Sequence, residues 1–479
     1  MPTVFETGFG ASERELTLDD LPVRGRLPGW LHGTLIRNGP GTFHVGAQTY
    51  RHWFDGLAML HRFAFADGRV SYANKFLRTR SYEAARANGR ISYSEFATDP
   101  CRSLFGRVLS VFSPQITDSA KVNVARIARR FLALAETPIQ VEFDPETLAT
   151  VGVFQYEAGP VGQMTTVHPQ FDFEQDVVYN LVTRYHALSQ YRLYRLAGGG
   201  QPALAAALPA AQPAYLHSFG LSRRYAIVAE FPLVVNPIDL LLWLRPYIEN
   251  FRWRPERGAP FYVLDRANGE LVGRFDADPY FAFHHVNAFE RGDELIVDLD
   301  AYPDAGIVQS YYLNRLSDER AELPWGQLRR YRLPLKGRRR GRATYETLSD
   351  ACLELPRFDY ERYNLRGDYR YVYAVSVRPE QRQGFYNQLV KVDVQTGRTL
   401  AWHASDCYPG EGVFVGAPGR IREDDGVVLS VVLDAARGTS FLLVLDAETF
   451  TERARAELPH AVLFGYHGEY FAPAAEAAR

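Results

Sequence analysis

The chain has 479 residues, 46% of them hydrophobic and 13% aromatic, enough for two or three domains or for one large closed β-architecture with a sizeable core. Its 54 Lys and Arg against 56 Asp and Glu leave a net charge of -2, which excludes a long-range pull toward nucleic acid or anionic lipid. The three cysteines, Cys101, Cys352 and Cys407, are too few and too scattered for a disulfide framework or a metal cage, which points to a reducing compartment.

In chain order, the Met1-Pro-Thr-Val-Phe-Glu start lacks the basic and apolar regions of a secretory signal. No apolar run approaches the roughly 20 residues of a spanning helix. The expectation is a cytoplasmic protein, soluble or lying on a membrane surface. Met59 to Phe65 alternates in polarity, Asp67-Gly68 is a strong hairpin turn, and Val70 to Phe76 returns. The same grammar recurs as a strand, then Asp-x-x-Thr/Asn-x, then a strand, at Asp144, Asp265, Asp393 and Asp446. Those positions fit a unit of roughly 55 to 65 residues counted once or twice, in the range of propeller blades with added loops.

Two helical segments interrupt the strands. In about 103–113, Leu104, Phe105, Val108, Leu109 and Phe112 form a stripe with Arg102 and Arg107 interspersed. In 237–252, Asn236 reads as an N-cap, Pro237 as the first helical residue, and Leu240, Trp243, Leu244, Tyr247 and Phe251 follow at helical spacing, with a kink expected at Pro246. Each stripe reads either as a packing face or as an apolar patch that dips into a bilayer. The basic run Lys336 to Arg342 reads as a solvated turn.

Four histidines sit in apolar surroundings: His168 before Pro169, His217 in Tyr215-Leu-His-Ser-Phe-Gly220, His284 in Phe281-Ala-Phe-His-His-Val-Asn287, and His467 in Gly465-Tyr-His-Gly468. An unsatisfied imidazole on a buried strand costs on the order of 1–3 kcal/mol, so each needs a partner, and a metal is one. Their separations rule out a zinc finger or an HExxH helix, whose ligands lie a few residues apart. Only a closed fold can bring them together.

These motifs, with Arg37-Asn-Gly-Pro-Gly41, His52-Trp-Phe-Asp-Gly56 and Glu423-Asp-Asp-Gly-Val-Val-Leu-Ser430, run almost end to end, and the chain resembles the carotenoid cleavage oxygenases, specifically their retinal-forming and retinoid-isomerase branch. The resemblance implies an all-β fold, a seven-bladed β-propeller with a helix-and-loop dome over one face, formed by residues 1–479 as a single domain. Inner strands of a propeller converge on its axis, so one histidine per inner strand builds a ring of imidazoles without any local motif. Period-two alternation lets only one of His284 and His285 face that axis, and the family pattern selects His284.

The resemblance further implies Fe(2+) held by His168, His217, His284 and His467, with Glu136, Glu354 and Glu411 bonded to their outer ring nitrogens. Imidazole suits iron, copper, zinc and nickel, so four histidines do not by themselves identify the metal. His32, His44, His52, His61, His186, His403 and His460 remain structural or surface residues. Three positions depart from the family: Ala135 before Glu136 where Thr or Val is frequent, Gly412 after Glu411 where Pro is usual, and Ser222 for Thr.

The implied reaction is cleavage of a conjugated C=C bond of a carotenoid or apocarotenoid by O2 to two carbonyl products, centrally at the 15,15' bond to give retinal. Eccentric carotenoid or stilbene cleavage, retinoid isomerohydrolysis, and a non-catalytic carotenoid-binding propeller are the alternatives. Leu104, Phe105, Val108, Phe112, Leu240, Trp243, Leu244 and Tyr247 would form the patch through which a peripherally membrane-associated enzyme collects a water-insoluble polyene.

Overall fold

Strand Leu57–Ala66 pairs antiparallel with Arg69–Phe76 across a two-residue turn, with Ala66 facing Arg69. Asp67 and Gly68 both take positive φ, 51° and 74°, the backbone twist that matches the flanking strands. This hairpin belongs to one of seven antiparallel sheets of four or more strands in the computed structural model, which describes residues 3–100, 117–241, 245–318, 320–337 and 341–473.

The seven sheets are the blades of a β-propeller. Blade 1 combines Gly33–Thr42 and the Leu57–Phe76 hairpin with Leu16–Leu18 on one edge and Gly468–Phe471 on the other. Blade 2 runs from Asn123–Ile127 to Thr150–Phe154, blade 3 from Met164–Thr165 to Ala203–Pro209, and blade 4 from Gly220–Leu221 to Leu271–Phe275. Blade 5 runs from His285–Arg291 to Thr344–Cys352, blade 6 from Glu354–Arg357 to Thr399–Trp402, and blade 7 from Cys407–Pro409 to Glu452–Glu457, where Val23–Gly25 adds an outer edge. Segments from both parts of the chain thus close the ring in blades 1 and 7, which removes the exposed edges that an open sheet would carry.

The four aspartate turns occupy one equivalent place, between the third and fourth strands of blades 2, 4, 6 and 7. In each, the aspartate side chain accepts a backbone N–H two or three residues on: Thr147 at 2.7 Å, Ala267 at 2.8 Å, Gln395 at 3.0 Å and Thr449 at 2.9 Å. The irregular repeat is therefore real and reports blade position.

The helix expected over 237–252 does not run through. A five-residue helix, Pro237–Leu241, takes its first-turn contact from Asn236 Oδ1, which accepts the Ile238 N–H at 3.2 Å. Pro246 then opens a separate 3-10 turn, Tyr247–Asn250, followed by the strand pair of Arg252–Trp253 with Leu233–Val234. Proline lacks the N–H to continue a helix, and Pro246 stands at the head of that separate turn. The segment 103–113, with Leu104, Phe105, Val108 and Phe112, and the residues Trp243 and Leu244 lie outside the described residues.

Insertions between strands pack together over the axis. The Leu313 N–H donates to Arg51 O at 2.8 Å, the Ile248 N–H to Phe96 O at 3.1 Å, and the Trp53 N–H to Tyr311 O at 2.9 Å. Among the described residues no helix is long and apolar enough to cross a membrane.

Candidate metal centre

The start of almost every inner strand delivers a titratable side chain to the propeller axis. His284 stands one residue before His285–Arg291 in blade 5, His467 one before Gly468–Phe471 in blade 1, and His217 three before Gly220–Leu221 in blade 4. His168 lies in the break between Met164–Thr165 and Gln170–Asp172 of blade 3. Glu354 opens the inner strand of blade 6, and Glu411 occupies the break between Cys407–Pro409 and Val413–Gly416 of blade 7. The histidines thus precede their strands instead of lying within them, where the backbone leaves the sheet and the side chain can turn inward.

One ligand nitrogen from each of His168, His217, His284 and His467 lies within 4.8 Å of the others. His284 Nε2 and His467 Nε2 are 3.3 Å apart, and the His168 ring centroid is 4.5 to 5.1 Å from the other three. His285 turns away: its Nδ1 meets Ser218 Oγ at 2.8 Å, and it is not part of the cluster.

The three glutamates pair one to one with three of the histidines. Glu136 Oε1 lies 2.7 Å from His217 Nδ1 and also accepts the Tyr215 hydroxyl. Glu411 Oε1 lies 2.8 Å from His467 Nδ1, and its Oε2 accepts the Gly468 N–H at 2.8 Å. Glu354 Oε2 comes 2.7 Å from His284 Nδ1, close in distance but off-line for a hydrogen bond, while its Oε1 accepts the Tyr302 hydroxyl at 3.0 Å. A carboxylate on Nδ1 holds the proton there and leaves the Nε2 lone pair facing the cluster.

Burial pushes His168 and His467 well below the ordinary histidine range, and the neighbouring imidazoles push further. His217 is also lowered by burial, against the pull of Glu136. Burial would raise the Glu354 carboxyl, but His284, the Leu355 N–H and the Tyr302 hydroxyl together bring it below its usual value. Neutral imidazoles at His168, His217 and His467 and an ionised Glu354 are protonation states that suit a metal site. His168 Nε2 is buried with no hydrogen-bond partner among the described residues. Inward lone pairs, an orphaned nitrogen and outer carboxylates fit a cation at the centre, and the cluster can hold a metal ion.

A cavity of about 260 Å³ opens onto His217, His284 and His467. Its wall carries a group of aromatic side chains, among them Trp53, Phe54, Phe96, Tyr247, Phe283 and Tyr311, together with polar ones such as Gln163, Arg245 and Asn250. Leu240 and Tyr247, expected in a membrane patch, both line this cavity, and the Tyr247 hydroxyl meets that of Tyr185 at 2.8 Å. Ala135 also lines it. Gly412 is tightly packed, since a Cβ there would come 3.1 Å from Val428 Cγ1, and Ser222 Oγ donates to Glu290 at 2.9 Å. His52 is structural, as expected: its Nε2 contacts Val308 O at 2.9 Å, its Nδ1 accepts the Phe54 N–H at 3.0 Å, and burial lowers it to about 3.

Sequence reasoning missed a buried polar group in the cavity wall. Lys121 Nζ lies 2.6 Å from Glu95 Oε2, with side chains only 4% and 1% exposed, and Thr117 donates to Glu95 Oε1 at 2.6 Å. The signal for it was a lysine two residues before the blade 2 strand Asn123–Ile127.

The family model described as retinal pigment epithelial membrane protein matches residues 9–472. The chain is 34% identical over 465 residues to a carotenoid isomerooxygenase of Galleria mellonella, covering 91% of this chain and 89% of that one. It is 32% identical over 522 residues to the β,β-carotene 15,15'-dioxygenase of Homo sapiens, covering 96% and 93%. A variant of the Synechocystis apocarotenoid oxygenase superposes with a TM-score of 0.87 at 27% identity over 98% of both chains, and the cobalt-substituted form of that protein matches equally well. The chain belongs to the retinal pigment epithelial membrane protein family, to which these carotenoid oxygenases are its relatives.

Proposed function

We propose that this protein is a carotenoid cleavage dioxygenase that holds Fe(2+) with His168, His217, His284 and His467 and splits a conjugated C=C bond of a carotenoid or apocarotenoid with O2, centrally at the 15,15' bond to give retinal. The observation that carries this reading is the four-histidine cluster facing an aromatic cavity, with carboxylates on three outer ring nitrogens. It agrees with its relatives, which include a β,β-carotene 15,15'-dioxygenase and an apocarotenoid oxygenase.

A ferrous ion bound there supplies O2 activation. Held by four neutral imidazoles, such an ion would keep its full positive charge uncompensated by the protein. Glu136, Glu354 and Glu411 keep the protons on the Nδ1 atoms, so the Nε2 atoms stay available as ligands. The aromatic wall excludes water and holds one double bond of a rigid polyene beside the cluster, so cavity shape selects the bond that is cut.

Substrate is drawn from a membrane surface near Pro237–Leu241, where Ile238 is 61% exposed and Leu240 already belongs to the cavity wall. The test is an anaerobic mixture of Fe(2+)-loaded protein and β-carotene in detergent, to which oxygen is then admitted. The expected result is aldehyde product of retinal length that appears only with oxygen. Conversion of a retinyl ester without oxygen uptake would favour isomerohydrolysis, and a shifted polyene spectrum with no product would leave a binding protein.

A further inference from the structure

Six of the seven inner strands bring a histidine ligand or a carboxylate to the axis at or near their starts. The remaining one, in blade 2, begins after Lys121 and Val122, and the Val122 carbonyl accepts the His467 N–H at 3.2 Å. The seventh position is therefore filled by an ammonium that lines the cavity. Its Nζ makes one hydrogen bond among the described residues, to Glu95, although an ammonium carries three donors. The Glu95 carboxylate is better satisfied, with Lys121 on Oε2 and Thr117 on Oε1.

A buried ion pair in this wall is hard to explain by stability, because a well-packed apolar pair of similar volume is often as good or better. It is also a poor neighbour for a pure hydrocarbon, which offers the remaining ammonium protons nothing to bond. A hydroxyl or carbonyl oxygen would accept one of them without disturbing Glu95.

We infer that Lys121, held by Glu95 and Thr117, is an anchor for an oxygen atom on the substrate, so that the cavity selects polyenes bearing a hydroxyl or carbonyl group over hydrocarbon carotenes. This rests on the cleavage reading above and narrows its substrate class. A site built around a buried donor discriminates against the analogue that lacks the acceptor more sharply than a hydrophobic pocket discriminates a methylene.

The test is equilibrium binding in the absence of oxygen, read by quenching of tryptophan fluorescence, since Trp53 lines the cavity. The probes are β-carotene, its 3-hydroxy derivative on the same skeleton, and an apocarotenal. The wild-type protein is expected to bind the oxygenated probes at least tenfold more tightly than β-carotene. Lys121→Met with Glu95→Gln removes that preference by weakening only the oxygenated probes, and Lys121→Arg restores part of it. Equal affinity of the wild-type protein for all three probes, or an equal loss for all three in the double variant, would overturn the inference. Should the double variant fail to fold, the wild-type comparison still decides. Selective binding without any cleavage would leave the anchor standing and remove the dioxygenase reading, whereas unselective binding with cleavage would do the reverse.

Discussion

Replacing Glu411 by Gln removes one charge and one acceptor from a carboxylate that is fully buried and bonded at both oxygens, to His467 Nδ1 and to the Gly468 N–H, each at 2.8 Å. Glutamine offers one oxygen. If that oxygen stays on His467, the amide nitrogen meets the Gly468 N–H donor to donor. If it turns to Gly468, the amide faces His467 Nδ1 and favours the tautomer with its proton on Nε2, the nitrogen that faces His284 at 3.3 Å. Either arrangement forfeits a charge-assisted hydrogen bond, worth about 1.5–3 kcal/mol. At about 1.4 kcal/mol per tenfold, this predicts a loss of roughly 10- to 100-fold in metal affinity. The assay is anaerobic competition for Fe(2+) or Co(2+) against a chromophoric chelator, with a thermal melt to verify that the fold is intact. A dissociation constant within twofold of wild type, with an unchanged melt, would refute the role assigned to these carboxylates.

Three more outcomes are expected. His284→Ala abolishes high-affinity metal binding and cleavage, whereas His285→Ala, which loses a contact to Ser218, keeps metal stoichiometry near one; metal analysis of both variants checks the assignment, and the reverse order would mean the wrong histidine faces the axis. His61, lowered to about 3 by burial and then by His460 and Arg37, stays neutral in the folded state while the unfolded chain takes up a proton near pH 6.5, so its contribution is complete above that pH and is lost as the pH falls toward 3. Between pH 7.5 and 5.5 the wild-type protein is expected to lose roughly 1.4 kcal/mol more stability than His61→Gln, measured by urea unfolding. Gly68→Ala, at φ 74° with open space around the added Cβ, costs about 1 kcal/mol of stability and leaves metal affinity unchanged in the same competition assay.

The apolar contexts of the four histidines showed only that each needs a partner; it was the resemblance to the carotenoid cleavage oxygenases, and no local motif, that joined them with the three glutamates in one proposed centre. The one-to-one pairing of Glu136 with His217, Glu354 with His284 and Glu411 with His467 was not legible, since it depends on which blades adjoin across the axis. The aspartate turns at 144, 265, 393 and 446 were readable because an Asx turn is a four-residue event. The helix over 237–252 was misread because the helical spacing of Leu240 and Tyr247 also suits residues that reach one cavity from two separate short elements, the second of which follows Pro246. Lys121 escaped notice because its partner, Glu95, lies 26 positions away in a loop.

X-ray absorption at the iron edge of the Fe(2+)-loaded protein, recorded without oxygen, reads the ligand set directly. One iron per chain with four imidazole nitrogens, losing one imidazole in each single His→Ala variant that still binds metal, is the result expected of a centre assembled from blades 1, 3, 4 and 5. A spectrum with carboxylate oxygen in place of an imidazole, or one unaltered by substitution at 168, 217, 284 or 467, would contradict it.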